Sequence, residues 1–196
     1  MVGDPDAELL LAFQRGDAAA FRTLFERHAR AMVAFCNHFV RNPARAEELA
    51  QDVFLKLHQA APRYQPTARF KTFLYRIASN HCLNELRRGE QAARRDARAR
   101  PDDEPEDLDA LPGSAPTPEQ EAAGGALARA VQVLLDRLPE KQRVAFVLCR
   151  FQGLSYEEIA AALDTSVPAV KSLIHRATVT AAEALAPFAP GGEVLS

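Results

Sequence analysis

The sequence predicts an all-α fold with two small helical domains joined by a flexible acidic linker. Apolar residues recur at three- and four-residue spacing through residues 6–88 and again through 126–185, whereas strand-like alternation is scarce. A segment rich in proline and acidic residues separates the two stretches. A chain of 196 residues, 47% of them hydrophobic, is long enough to bury a core in each domain. We therefore divide it into residues 1–95, 96–125 and 126–188, followed by a tail at 189–196.

The N-terminal domain is predicted to contain four helices. The first extends from Asp6 to Arg15 and ends at Gly16. Asp17 is a favourable N-cap for the second helix, because its carboxylate can accept from the free N–H groups of the first turn. The apolar positions of this second helix are Phe21, Leu24, Phe25, His28, Met32 and Phe35. They lie at helical spacing and predict one buried face.

The third and fourth helices have equally clear boundaries. Asn42 and Pro43 suit the cap and the first turn of the third helix, which is predicted to end near Pro62. Its apolar positions are Leu49, Val53 and Leu57. A loop at residues 63–68 leads into the fourth helix, whose apolar positions are Phe70, Phe73, Leu74, Ile77 and Leu83. Four helices within about ninety residues predict a compact bundle.

The charge of the chain is unevenly distributed. Its formal net charge is only −2, but residues 1–95 carry 15 Lys/Arg against 10 Asp/Glu. Residues 96–125 carry 2 against 9, together with five prolines, and residues 126–196 carry 7 of each sign. The proline-rich acidic segment cannot bury enough apolar surface to offset the entropy of ordering it, so it is predicted to be a flexible linker.

The C-terminal domain is predicted to contain a helix-turn-helix. One helix ends at Pro139 and a second ends at Gly153, after which Ser155 and Glu158 have the spacing of a capping box. Asp164, Thr165 and Ser166 form the predicted turn, and Pro168 lies in the first turn of the last helix. The expected core residues are Ile159, Ala160, Leu163, Val167, Val170 and Ile174. Between them, four polar residues are expected to face outward and to contact duplex DNA: Lys171, Ser172, His175 and Arg176. The alternative is a solvent-exposed face of an ordinary helical bundle.

A basic and aromatic segment at residues 63–88 is the candidate for binding single-stranded DNA. It carries six Lys/Arg against Glu85 alone, and aromatic rings are interleaved with the charges. Such rings can stack on unpaired bases, and amides such as those of Asn80 and Asn84 can read base edges. The candidate residues are Arg63, Tyr64, Arg69, Lys71, Arg76, Asn80, Asn84, Arg87 and Arg88. Most of the aromatics on the helix are equally explained as core, whereas Tyr64, in the loop, is harder to explain by packing.

The third helix has an acidic and amide face opposite its apolar residues. It is formed by Glu47, Glu48, Gln51 and Asp52. In a domain with a net charge of +5, this face is a candidate docking surface for a basic protein partner. A solvent-exposed face without a partner is the alternative.

Several classes of function are excluded by what the sequence lacks. Cys36, Cys82 and Cys149 are widely spaced in apolar helical contexts, which predicts buried thiols and no metal site. The acidic and histidine residues form no convergent catalytic set, so no enzyme and no cofactor is expected. The N-terminus lacks the basic-then-apolar pattern of a signal peptide, and no apolar run is long enough to cross a bilayer. The protein is expected to be cytoplasmic.

Taken in order, the motifs resemble those of the extracytoplasmic-function sigma factors, a group of the bacterial sigma family. The resemblance extends from about Asp6 to Leu185. It rests on Gly16–Asp17 with Ala20–Phe21, on residues 46–55, 69–78 and 86–88, and then on residues 138–143, 153–160, 170–172 and 175–177.

The resemblance implies a factor that binds the RNA polymerase core and directs it to promoters. It implies that Glu48, Gln51 and Asp52 dock on the coiled coil of the polymerase clamp, with the flap as a further contact. It implies that the segment from Arg63 to Arg88 captures the −10 element as a single strand. It also implies that Lys171, Ser172, His175 and Arg176 read the −35 element as duplex, that an anti-sigma factor controls the protein, and that the linker threads the polymerase channels.

Departures from the family pattern and two other function classes complete the sequence interpretation. Phe73 stands where the family usually has Trp, and Leu173 and Thr178 stand where Arg is common. The first alternative function is a sigma-like mimic that sequesters a regulator without initiating transcription. The basic −10 segment argues against it. The second is a repressor or activator that uses the C-terminal domain alone, which leaves the N-terminal domain unexplained.

Overall fold

The computed structural model describes residues 3–40, 42–99 and 118–188, and within these ranges every regular element is helical. The all-α prediction is therefore confirmed. Short 3₁₀ turns follow the third and the eighth helix, at Ala61–Arg63 and Ala186–Phe188. The helices are α1 (Pro5–Gln14), α2 (Ala18–Asn37), α3 (Pro43–Ala60), α4 (Phe70–Ala99), α5 (Pro118–Arg137), α6 (Glu140–Arg150), α7 (Tyr156–Ala162) and α8 (Val167–Leu185).

The predicted helix caps are present. Asp17 Oδ1 accepts from the N–H groups of Ala19 and Ala20 at 3.0 and 3.3 Å, and Asn42 caps α3 in the same way. Ser155 and Glu158 form the reciprocal capping box at the start of α7. The turn between α7 and α8 passes through Asp164, which has a φ of 50° and so takes a left-handed conformation that Asp tolerates.

The start of α1 differs from the prediction, because the helix begins at Pro5, with Asp4 as its N-cap, and not at Asp6. Asp4 Oδ1 accepts from the N–H groups of Asp6 and Ala7 at 3.1 and 3.3 Å, and Pro5 occupies the first turn. The second carboxylate oxygen, Oδ2, accepts from the N–H of Phe70 at 2.6 Å. Phe70 is the first residue of α4, so one carboxylate satisfies the free N–H groups of two helices.

The helices extend into both ends of the segment predicted to be a linker. α4 continues through Gly89 to Ala99, and α5 begins at Pro118. The prediction of 96–125 as a linker was based on its prolines and acidic residues, but Pro118 is tolerated in the first turn of α5 and acidic residues do not prevent a helix. The remaining linker residues, 100–117, and the tail at 189–196 lie outside the described residues.

The core of the N-terminal domain forms where α2, α3 and α4 meet. Fully buried side chains include Leu24, Met32, Phe35, Leu49, Val53, Leu57, Phe70, Leu74 and Cys82. Cys36 is buried beside Cys82, with the two sulfur atoms 4.0 Å apart, and both thiols are free. The buried-thiol prediction holds for this pair but only in part for Cys149, which is half-buried and packs against the core.

The C-terminal domain has its own core of small and branched side chains. Fully buried members include Leu134 and Leu135 from α5, Val144 and Leu148 from α6, Ile159 from α7 and Val170 from α8. Of the predicted helix-turn-helix core, Leu163 and Val167 are only partly buried, because they lie at the turn and at the first residue of α8.

Asp4 caps two helices and Asp17 only one, so we expect removal of the Asp4 carboxylate to lower the free energy of unfolding by more. Asp17→Ala removes a cap from one helix end and should lower the free energy of unfolding by about 1 kcal/mol. Asp4→Ala also leaves the Phe70 N–H without an acceptor, which adds about 1–3 kcal/mol. Urea unfolding followed by circular dichroism measures both variants. Equal losses would show that the Phe70 bond contributes nothing.

Candidate nucleic-acid and protein interfaces

An exposed polar strip follows one side of α4. Arg76, Asn80, Asn84 and Arg88 are spaced four residues apart and are all exposed. Side chains at this spacing lie above one another on a helix, and twelve residues span about 18 Å. The strip therefore offers two amides between two guanidinium groups along one line. The structure brings these four predicted residues together.

The loop before α4 forms a cavity beside this strip, lined mainly by Tyr64, Gln65, Thr67, Phe73 and Arg76, with Ala161 of α7 at one side. Its volume is about 280 Å³. Arg63 is exposed at the other end of the loop.

Tyr64 is a correction to the sequence interpretation, because it is a packed residue. It is 5% exposed, and its ring centroid lies 4.9 Å from that of Phe73. The side chain of Phe73 is half-buried in the same contact. The Tyr64 hydroxyl is buried without a hydrogen-bond partner. Burial raises the pKa of Tyr64, with a smaller contribution from the Asp4 carboxylate, so the hydroxyl remains a proton donor at neutral pH.

The C-terminal domain packs against another side of α4. Lys71 Nζ donates to the backbone oxygen of Gln152 at 2.6 Å, and the Tyr75 hydroxyl donates to the side-chain oxygen of Gln152. Tyr75 is almost fully buried, and this burial raises its pKa to about 12. The ring of His38 packs on that of Phe151, which follows α6, with ring centroids 4.3 Å apart and the ring planes tilted by 39°.

Acidic residues of the C-terminal domain also lie against predicted DNA-binding residues. Arg87 Nε lies 3.1 Å from Glu140 Oε2, and Arg69 Nη1 lies 3.7 Å from Glu158 Oε1. With Lys71, three of the nine residues predicted to bind the single strand thus contact the C-terminal domain. Sequence reasoning missed this contact, because nothing local to either segment indicates which residues of the other domain will face it.

The acidic face of α3 borders an apolar groove. Glu47, Glu48 and Gln51 are exposed, and Asp52 is half-buried, with its Oδ2 atom 3.1 Å from His81 Nε2. The groove has a volume of about 220 Å³ and is lined by Phe25, Ala29, Val33, Glu47, Ala50, Gln51 and Phe54.

Two apolar side chains at this face are exposed. Phe25 was predicted to face the core, but it is 42% exposed and packs edge-on against Phe54 with ring centroids 4.8 Å apart. Leu55, one turn after Gln51, is 57% exposed. Sequence periodicity could not identify Phe25 as exposed, because its position belongs to the apolar stripe of α2. How much of that stripe is covered depends on the packing of α3 against it.

The predicted outer face of α8 is confirmed as exposed. Lys171, Ser172, His175 and Arg176 are all exposed. Val170, Ile174 and Ala177 alternate with them and are buried against the other helices of the domain. Since buried and exposed positions follow the helical period, all four polar side chains point away from the core.

The described part of the chain has neither a metal-binding cluster nor a membrane-spanning helix. It contains no group of three or more His, Cys, Asp or Glu residues placed to hold a metal ion. None of its helices is long and apolar enough to span a membrane.

Comparison with known families matches both domains separately. The model described as "Sigma-70 region 2" matches residues 24–92, and "Sigma-70, region 4" matches residues 128–178. The chain belongs to the sigma-70 family, in its group of extracytoplasmic-function (ECF) RNA polymerase sigma factors. Members of this family are transcription initiation factors and not enzymes.

Curated relatives cover almost the whole chain. It is 32% identical to the RNA polymerase sigma-H factor of Pseudomonas aeruginosa over 94% of this chain and 96% of that protein. It is 36% identical to the ECF sigma factor SigM of Mycobacterium tuberculosis over 92% and 84%. With the ECF sigma factor SigE of Mycolicibacterium smegmatis the identity is 37%, but the match spans only 61% of that longer protein.

Two solved structures have a similar fold. CnrH, solved in complex with the cytosolic domain of CnrY, superposes with a TM-score of 0.68 at 27% identity, covering 95% of this chain and all of CnrH. The sigma factor RpoE of Bartonella quintana, solved with the anti-sigma factor NepR, superposes with a TM-score of 0.62 at 22% identity, covering 84% of this chain and 96% of that one.

The contact between His38 and Phe151 predicts that the two domains separate in acid. Burial lowers the pKa of His38 from its ordinary value of 6.5, so the packed arrangement favours the neutral ring. The buried neutral ring of His38 contributes fully to the stability of the domain contact above pH 6.5. This contribution is lost as the pH falls from 6.5 through the lowered pKa of His38. Small-angle X-ray scattering should therefore give a larger radius of gyration at pH 5.5 than at pH 7.5.

His38→Phe is the matched control, because a phenyl ring keeps the stacking but does not titrate. It should reduce the change in radius between the two pH values. The same change in both proteins would mean that other groups control the contact.

Proposed function

We propose that this protein binds the RNA polymerase core and directs it to promoters by capturing the −10 element as a single strand and the −35 element as duplex. The observation that carries the proposal is the polar strip of α4 beside the Tyr64–Phe73 cavity, in one chain with an exposed recognition helix. A helix-turn-helix alone suits duplex DNA only. The strip and the cavity add a surface suited to unpaired bases.

The polymerase-docking surface is the α3 face with its apolar groove. The groove, together with the exposed side chains of Phe25 and Leu55, provides apolar contact area. Glu48, Gln51 and Asp52 provide charge and hydrogen bonds around it. An apolar centre with a polar rim is the usual composition of a protein interface, and the acidic rim selects a basic partner. The clamp coiled coil of the polymerase is the partner that the family membership suggests.

The −10 surface combines the cavity with the strip. Pockets for drug-sized ligands measure roughly 300–1,000 Å³, so a cavity of about 280 Å³ suits a smaller planar group such as one unstacked base. Phe73 offers an aromatic wall, and the exposed side chains of Gln65 and Thr67 offer polar groups to a base edge. Asn80 and Asn84 can then read bases that follow along the strip. Arg63, Arg76 and Arg88 are placed for the phosphates.

The C-terminal domain must leave α4 before the whole −10 surface is usable. Arg69, Lys71 and Arg87 are held by Glu158, Gln152 and Glu140 in the packed arrangement. The N–H groups of Arg69, Lys71 and Arg87 that would bind DNA phosphates are therefore already paired within the protein. Separation also frees α8 to reach the −35 element, which lies a fixed distance from the −10 element.

An anti-sigma factor is the proposed regulator. CnrH was solved in complex with the cytosolic domain of CnrY, and RpoE of Bartonella quintana with the anti-sigma factor NepR. The exposed apolar groove and acidic rim of α3 are a surface that such a partner can cover. We propose further that the protein acts in the cytoplasm, where RNA polymerase is found, and that it needs neither a cofactor nor a catalytic group of its own.

The proposed function is tested by run-off transcription with purified bacterial core polymerase on DNA upstream of the gene for this protein. Discrete transcripts that depend on the protein would support it. Asp52→Lys places a cation on the docking face and should abolish transcripts and core binding together. Glu183→Lys, an equal charge change on exposed α8, should leave core binding unchanged. Failure of the unaltered protein to bind core would favour the sigma-like mimic.

A second prediction concerns the amides of the strip. Asn80→Ala should weaken binding of a single-stranded −10 oligonucleotide to the core-bound protein by about 5- to 100-fold, because a good base-edge contact contributes roughly 1–3 kcal/mol. Its affinity for core should not change. Gln59→Ala removes an exposed amide from α3 and serves as the control. If both variants bind the oligonucleotide alike, Asn80 does not read a base.

A third prediction concerns the recognition helix. Replacing Lys171 and Arg176 together by Ala should weaken −35 duplex binding on every sequence. The plot of log affinity against log salt concentration should flatten by about 2 units, because each phosphate contact contributes about 0.9. Lys141→Ala, at an exposed position on α6, controls for loss of charge. An unchanged slope would mean that these cations do not reach phosphates.

A further inference from the structure

A polar seam joins α3 to α4 beneath the proposed docking face. His81 and Glu85 lie one turn apart on α4 and therefore face the same way. His81 Nε2 lies 3.1 Å from Asp52 Oδ2. Glu85 Oε1 accepts from Arg45 at 2.6 and 2.9 Å, and Arg45 Nη1 in turn donates to Glu48 Oε2 at 2.7 Å. Two of the three proposed docking residues are thus connected to α4.

The two members of the His81–Asp52 pair differ sharply in exposure. The His81 side chain is 9% exposed, whereas that of Asp52 is 50% exposed. A buried ring nitrogen needs a hydrogen-bond partner, and a carboxylate oxygen can only accept, so Nε2 carries the proton and donates. This bond fixes one oxygen of Asp52 from below. The other oxygen and the exposed half of the side chain remain available to a partner.

We propose that His81 is a positioning residue for polymerase docking, which holds the Asp52 carboxylate in the orientation that the polymerase binds. His81 itself touches neither polymerase nor DNA. The inference rests on the proposed function, since it requires that Asp52 docks. Holding a side chain in its bound orientation before association removes part of the entropy cost of binding. For one such side chain this corresponds to roughly a 3- to 10-fold gain in affinity.

Other contacts between α3 and α4 should keep the two helices in place when the His81–Asp52 bond is lost. Arg45 and Glu85 form a second connection between the same helices. Val53 and Leu57 of α3 are fully buried and hold α3 in the core independently of the seam. Loss of the His81 bond should therefore release the Asp52 side chain without displacing α3.

The test measures the affinity of the full-length protein for purified RNA polymerase core. His81→Leu, which keeps the volume but removes the donor, should weaken core binding about 3- to 10-fold. His81→Gln should restore most of the affinity, because the amide N–H of Gln reaches about as far as Nε2. In an Asp52→Ala background, which removes the acceptor, His81→Leu should have little further effect. If His81→Leu does not fold, His81→Asn, which is too short to reach Asp52, takes its place.

Controls separate positioning from stability and from the proposed function. Ser79→Ala alters a buried polar residue of α4 whose hydroxyl has no partner, and it should leave core affinity unchanged. The inference would be overturned if His81→Leu changes core affinity by less than twofold. It would also be overturned if His81→Gln fails to restore the affinity. If Asp52→Lys still abolishes core binding in that case, the proposed function stands. If Asp52→Lys has no effect either, the docking assignment itself fails.

Discussion

The structure depends on the placement of one long helix, α4, because the proposed single-strand surface lies on it, α3 with the proposed docking face packs against it, and the C-terminal domain packs against it as well. Phe70, Leu74 and Cys82 are fully buried against α2 and α3, and this apolar stripe fixes the rotation of the helix about its axis. Once that rotation is set, the helical period places the polar strip outward, His81 and Glu85 toward α3, and Lys71 and Tyr75 toward the C-terminal domain. Because Asp4 also holds the first N–H of α4, the helix is fixed along its axis as well.

The contact between the domains is suited to opening. Its charged pairs involve Arg69 and Arg87, which keep more than half of their side-chain surface exposed. Exposed ion pairs contribute roughly 0–1 kcal/mol each and are weakened by salt. The more buried parts are the Tyr75–Gln152 hydrogen bond and the stacking of His38 on Phe151. In the proposed function, such contacts give way when polymerase binds elsewhere, and Arg69 and Arg87 exchange their carboxylate partners for phosphates.

Local signals in the sequence were sufficient for most of the fold and for the outer faces of the site. Asp17, Asn42, Ser155 and Glu158 cap the helices as predicted, since a cap requires only residues within three positions of it. What the sequence could not predict depends on residues far apart in the chain. Tyr64 is buried because Phe73 packs on it, and Phe25 stays 42% exposed because Phe54 of α3 covers its ring only edge-on. Asp4 accepts from the N–H of Phe70, 66 positions further along the chain. Lys71 donates to Gln152, which belongs to the other domain.

The departures from the family pattern have a structural context. Where the family commonly has Arg, this chain has Leu173 and Thr178, and Leu173 packs against the core of its domain. The exposed cations of α8 in that region are therefore Lys171 and Arg176, which limits the phosphate contacts available to it. Phe73, where the family usually has Trp, is half-buried beside Tyr64 and lines the cavity. In the proposed function, two cations allow few phosphate contacts on α8, so promoter binding should depend more on the −10 strand than on the −35 contact. That places the largest functional demand on α4, which the His81–Asp52 bond connects to α3.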